Sequence, residues 1–81
     1  MRIHLRFFAA LREQMGARGA RTVPAGTTAG ALWQVLVAER PAIGATQVRI
    51  AVNERYVDPS HRLTDGDEVA FFPPVSGGVA R

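Results

Sequence analysis

Two residue types are missing from this chain, and each omission removes a class of chemistry. Cysteine is absent from all 81 residues, which excludes disulfides, thiolate metal sites and every mechanism that acts through a cysteine sulfur. Lysine is absent too: all 10 basic residues are arginine, so no side-chain amine is available for a Schiff base or an isopeptide bond. Long apolar runs are also lacking. No segment reaches the roughly 18 residues of a membrane span, and the N-terminus has no apolar stretch of the signal-peptide kind, so a cytoplasmic protein with no membrane role is expected. The net charge of +3 is small, and the arginines are scattered from Arg2 to Arg81. Without a basic stripe or aromatic platforms, nucleic acid is not an expected partner.

What is present is enough for one small domain. With 47% hydrophobic and 21% charged residues, the composition is that of a globular chain, and at this length the apolar residues share one core. MRIHLRFF alternates, setting Met1, Ile3, Leu5 and Phe7 on one face of a strand and Arg2, His4, Arg6 and Phe8 on the other. AALREQMG reads as a short helix stopped by Gly16, which can take the left-handed conformation after a helix end. ARTVPA suits a second strand, with Pro24 near its end.

A threonine cap at Thr27 or Thr28 then opens AGALWQVLVAER, and Pro41 disfavours helix at Arg40. Leu32, Val35, Leu36 and Glu39 fall on one side of this helix, and Trp33 and Val37 widen its apolar surface. QVRIAVN is another alternating strand, Asn53-Glu54-Arg55 turns it into a short strand around Tyr56 and Val57, and Asp65-Gly66 turns the chain into DEVAFF. This order implies an α+β fold of two layers, a sheet with one main helix on one face. The other face is either open or occupied by a partner.

Candidate functional residues lie on that second face and beyond it. Phe8 points away from the core among Arg2, His4 and Arg6, and Phe72 points away beside Ala70. On neighbouring strands they would form an apolar spot rimmed by arginine, the mark of a protein interface. The alternative is two strand-end aromatics folded over the edge of the core. After Phe72 the chain reads PPVSGGVAR. Pro73 and Pro74 cannot donate to a ladder and favour extended chain, so the segment leaves the sheet. From Pro73 to Gly78 it can reach about 20 Å. Val75 and Ser76 continue it, and Gly77 and Gly78 let backbone pass through a narrow channel. The other reading is a frayed, glycine-rich terminus.

LTDGDEVAFFPPVSGG, with the AVN strand before it and FFAALRE near the start, resembles the molybdopterin synthase small subunits, a family of ubiquitin-like sulfur carriers. The likeness runs from the first residues to Gly78, and the DGDEVAFFPPVSGG ending is its most specific part. It implies a β-grasp fold with the first and last strands parallel neighbours, one domain over residues 1–78 and an extended tail over 73–78. It also implies that the final glycine carboxylate is adenylated by a ubiquitin-activator-like adenylyltransferase, which consumes ATP, and is converted to a thiocarboxylate. The tail then enters the large subunit and gives its sulfur to cyclic pyranopterin monophosphate in molybdenum cofactor biosynthesis. By this likeness Gly78 is the acting residue and Gly77 its slender neighbour. Phe8, Phe72, Pro73, Pro74, Val75 and Ser76 are the expected partner contacts, no cofactor is bound, and two carriers are expected on a large-subunit dimer. The carrier is a non-catalytic subunit in this scheme. Lacking lysine, it could be attached to other proteins but hardly extended on itself.

Carriers that react directly end at the second glycine, whereas here Val79-Ala80-Arg81 follow and hold the Gly78 carbonyl in a peptide bond. A peptidase cutting after Gly78 is the favoured expectation. Binding without sulfur transfer is the other, together with an expression-derived extension. Sulfur delivery to thiamin, cysteine or tRNA, and protein modification through Gly78, are the competing functions. The remaining polar residues point to no site. His4 on the open face and His61 in a loop lack ligand neighbours, and Asp58, Asp65, Asp67 and Glu68 surround a turn and read as turn chemistry, so no metal is expected.

Overall fold

Alternation at the N-terminus sorts the whole molecule into two sides. The computed structural model describes residues 1–45 and 47–73. The expectations placed on Pro74, Val75, Ser76, Gly77, Gly78 and residues 79–81 lie outside the described residues. β1 (Arg2–Phe7) buries Ile3, Leu5 and Phe7 and turns Arg2, His4 and Arg6 outward. It leads through α1 (Ala10–Met15) into β2 (Arg18–Thr22), which pairs antiparallel with β1.

The main helix α2 (Ala29–Glu39) follows, then a 3-10 turn (Pro41–Ala45), β3 (Arg49–Val52), β4 (Arg55–Val57) and β5 (Glu68–Phe72). The five strands lie in the order β2-β1-β5-β3-β4. β1 and β5 are parallel at the centre, and every other pairing is antiparallel. This is the expected mixed sheet with one main helix, its first and last strands side by side.

Thr28 is the cap of α2: its hydroxyl oxygen accepts from the Ala31 N–H at 3.1 Å, satisfying a donor that has no partner inside the helix. Ala29, Leu32, Trp33 and Leu36 face the sheet. That spacing corrects the expected stripe, because Val35 is 39% exposed and Glu39 lies outside the core. The buried row advances by three and four residues from Ala29, and Val35 falls off it. The 3-10 turn after Pro41 returns one more residue to the core, Ile43. At Gly44 an added Cβ would stand 2.8 Å from a Val37 methyl, so the turn packs directly on the helix.

Three other local expectations are modified. β2 begins at Arg18 and ends at Thr22, because its register opposite β1 (Arg6↔Arg18 through Arg2↔Thr22) sets its length, whatever the apolar pattern of ARTVPA. Gly16 has φ 84° but ψ 168°, so it is not in the left-handed helical region. Its positive φ and extended ψ feed the chain straight into β2, a conformation that suits glycine. Finally β3 buries Ala51 as well as Ile50 and Val52: on the outer face Ala51 is a small residue between its strand partners Tyr56 and Ala70. No helix among the described residues is long and apolar enough to cross a membrane.

Candidate functional site

The outward face of the sheet gathers residues from four strands and from Phe8 just past β1. Cα registers place Arg6 beside Ala70, Ala51 beside Ala70, Arg49 beside Phe72 and Tyr56 beside Ala51. Paired residues in a sheet share a face, so these side chains form one surface. Phe8 stacks on Phe72 with ring centroids 4.5 Å apart, and Tyr56 meets Phe72 edge-on at 5.8 Å. The two phenylalanines predicted from the sequence are therefore brought together. They are half-buried against one another and do not fold over the core edge.

Two cations stand on this aromatic cluster. The Arg6 guanidinium lies 5.0 Å from the Phe8 ring centroid and that of Arg49 lies 4.0 Å from Tyr56. Cation and ring quadrupole attract, which helps order both arginines. Beside them is a shallow cup lined by Arg6, Phe8, Ala51, Glu54, Tyr56, Glu68, Ala70 and Phe72. Its floor is made of the two alanines, and the small side chains are what leave it hollow.

Local structure holds the walls. After Phe8 the chain reverses at Ala9, with φ 54° and ψ −132°, a conformation that non-glycine residues adopt at a cost of about 1–3 kcal/mol. The β3–β4 hairpin turns through Asn53 and Glu54, both at positive φ (50° and 71°), as a tight hairpin turn requires. Asn53 is then tied to β5 on both sides of its amide: it donates to Asp67 at 2.9 Å and accepts from the Glu68 N–H at 3.0 Å.

Asp67 is the buried polar hub, only 7% exposed. Its carboxylate also accepts from the Thr64 N–H at 2.8 Å and the Thr64 hydroxyl at 3.0 Å. Burial pushes its pKa upward, but the Thr64 N–H, the Asn53 amide, the Thr64 hydroxyl and the charge of His61 outweigh burial. The net effect holds the carboxyl below its ordinary value.

The other polar residues do not converge. Asp65 accepts from the Arg2 N–H at 2.6 Å, and His4 and His61 are exposed. Among the described residues no three His, Cys, Asp or Glu side chains come together as a metal site. What the face presents is an aromatic cluster with two guanidiniums lying over it. It adjoins Pro73, which follows Phe72 and is half-buried. Pro74, Val75, Ser76, Gly77 and Gly78 lie beyond the described residues.

Sequence reasoning missed Tyr56, the stacked Arg6 and Arg49, and the Asp67 hub. A signal for Tyr56 was there: a two-residue turn at Asn53-Glu54 forces Ala51 opposite Tyr56 and so onto the face opposite Ile50.

Comparison with known proteins gives this face a context. Residues 5–78 match the ThiS family. The molybdopterin synthase sulfur carrier subunit of Escherichia coli is 41% identical over 80 residues, covering 94% of this chain and 99% of the relative. Among solved structures, SAMP1 from Haloferax volcanii superposes with a TM-score of 0.81 at 27% identity, covering 96% of this chain and 100% of that one. A complex of subunits 1 and 2 of the molybdopterin-converting factor from Helicobacter pylori contains a chain that matches at TM-score 0.69 and 25% identity, covering 96% and 100%. The fold is thus the ubiquitin-like β-grasp. With a family match that reaches the second glycine and near end-to-end identity to a named carrier, this chain belongs to the ThiS family, among the molybdopterin synthase sulfur carrier subunits.

Proposed function

We propose that this chain is the sulfur carrier of a molybdopterin synthase, with Gly78 as the atom-transferring residue and the outer face of the sheet as its docking surface. The observation that carries the reading is the 41% identity to a sulfur carrier subunit over 99% of that relative. The geometry supports it: the aromatic cluster of Phe8 and Phe72 adjoins Pro73, so a partner seated there also receives the tail.

In this scheme the Gly78–Val79 peptide bond is hydrolysed first, by a peptidase, which frees a glycine carboxylate. A carboxylate is a poor acyl donor. Its oxygen attacks the α-phosphorus of ATP on an activating adenylyltransferase, pyrophosphate leaves, and sulfide-level sulfur then displaces AMP to leave a thiocarboxylate. The sulfur passes to cyclic pyranopterin monophosphate inside the large subunit. This chain binds no cofactor of its own and works in the cytoplasm, two copies on a large-subunit dimer. Gly77 keeps the tail thin, and Pro73, Pro74, Val75 and Ser76 line its path.

Intact mass of the untagged protein from its own cells tests this directly. The expected result is a chain ending at Gly78, part of it heavier by exchange of one oxygen for sulfur. Uniform retention of Val79-Ala80-Arg81 would overturn the carrier reading. The structural likeness to SAMP1, a small archaeal modifier protein, favours one further reading, attachment of this chain to other proteins. Conjugates of higher mass that resist reduction and vanish when Gly78 is deleted would establish it.

A further inference from the structure

Arginines outnumber carboxylates on the outer face. By strand register, Arg2, Arg6 and Arg18 share this face from β1 and β2, and Arg49 joins them from β3. The same face carries two carboxylates, Glu68, which stands 4.0 Å from Arg6, and Glu54 of the hairpin turn, which also lines the cup. Among the described residues Arg2, Arg18 and Arg49 have no carboxylate at ion-pair distance. Four arginines against two carboxylates leave the face net positive, as is the chain as a whole at +3.

At the centre of these charges is the cup of about 210 Å³, floored by Ala51 and Ala70 and walled by Phe8, Phe72 and Tyr56. That is room for one large apolar side chain. Arg6 lines the cup and lies over Phe8, and Arg49 lies beside it over the Tyr56 ring. A guanidinium laid on a ring is already ordered and keeps its in-plane N–H groups for a carboxylate, so little rotamer freedom remains to be lost on contact.

We propose that this face selects a protein surface that is apolar at its centre and acidic around it. One apolar side chain enters the cup over Ala51 and Ala70, and flanking carboxylates meet Arg49 and Arg6, the latter in competition with Glu68. The carrier reading above identifies that partner as the synthase large subunit, and the inference rests on it for the partner's identity. A second copy of this chain does not satisfy the surface, because it brings the same arginines.

Charge complementarity of this kind acts chiefly on the association rate and is screened by salt. The test uses the purified large subunit from the same organism and follows association by stopped flow. Raising salt from about 0.05 M to about 0.5 M shortens the Debye length about threefold, and the wild-type on-rate is expected to fall about tenfold. Arg6→Gln combined with Arg49→Gln lowers the low-salt on-rate about tenfold and flattens its salt dependence, while Arg6→Lys with Arg49→Lys preserves most of it. Ala70→Leu fills the cup and accelerates dissociation without altering the salt dependence. Far-UV circular dichroism checks that each variant is folded.

Binding that is salt-insensitive, with equal on-rates for wild type and the glutamine pair, would overturn the inference and leave the carrier reading standing. If folded wild type and large subunit did not associate at all, the carrier reading would fall and this inference with it. Tighter binding of single-stranded RNA than of the large subunit at the same salt would also overturn it, in favour of a polyanion site.

Discussion

Two phenylalanine pairs sit one residue apart, at the end of β1 and just past it and in β5, and meet opposite surroundings. Phe7 and Phe71 stack at 5.6 Å beneath α2, with Trp33 at 5.1 Å from Phe71, and both are buried. Phe8 and Phe72 stack more closely, at 4.5 Å, on the outer face, and remain half-buried. Residue type is the same, and each pair joins the same two segments of chain. What differs is the layer above: a helix of this chain covers the inner pair, and nothing within the described residues covers the outer one. The inner pair therefore contributes its burial to folding, whereas the outer pair keeps much of its apolar surface for association.

This contrast can be broken most forcefully from the inside. Phe71→Ala should destabilise the fold by about 3–5 kcal/mol, enough to unfold much of a small domain, as read by urea or thermal melts. One position on, Phe72→Asp should leave the melt nearly unchanged but weaken binding to the large subunit by at least about 2 kcal/mol in titration calorimetry, because a carboxylate would be desolvated in the contact. Unfolding of Phe72→Asp would erase the distinction between the pairs.

A smaller effect is expected where the two faces are tied together. Asp67→Asn places an amide N–H₂ where donors from Thr64 and Asn53 now converge, at a cost of about 1–3 kcal/mol at neutral pH. The depressed carboxyl also sets the sign of the acid response. Its contribution is complete above the unfolded value near 3.9 and is lost as pH falls through the lower folded value. Wild type should lose stability below about pH 4 more steeply than Asp67→Asn, measured by melts across that range. Least of all, Thr28→Ala removes the cap of the covering helix and should cost about 1 kcal/mol without touching partner binding.

Much of this was legible because alternation is a local property. Ile3, Leu5 and Phe7 on one side and Arg6 and Phe8 on the other follow from a period of two, and the threonine cap and Pro41 bracket α2 for equally local reasons. Val35 was misplaced on the core side because a run of apolar residues blurs a helical stripe, and only the direction of approach of the sheet picks Ala29, Leu32, Trp33 and Leu36. The span of β2 was unreadable for another reason. RGART carries no alternation of burial, and its limits come from pairing with β1.

The sequence by itself determined the composition of the two faces, the turns at Asn53-Glu54 and Asp65-Gly66, and the route by which β5 runs into Pro73. Those depend on backbone preferences and on neighbours a few residues away. The tertiary structure alone decided that Arg49 lies over Tyr56 and Arg6 over Phe8, that Ala51 and Ala70 floor one cup, and that Asp67 joins Asn53 to Thr64. Each of these depends on strand order and register between distant segments, which no local pattern encodes.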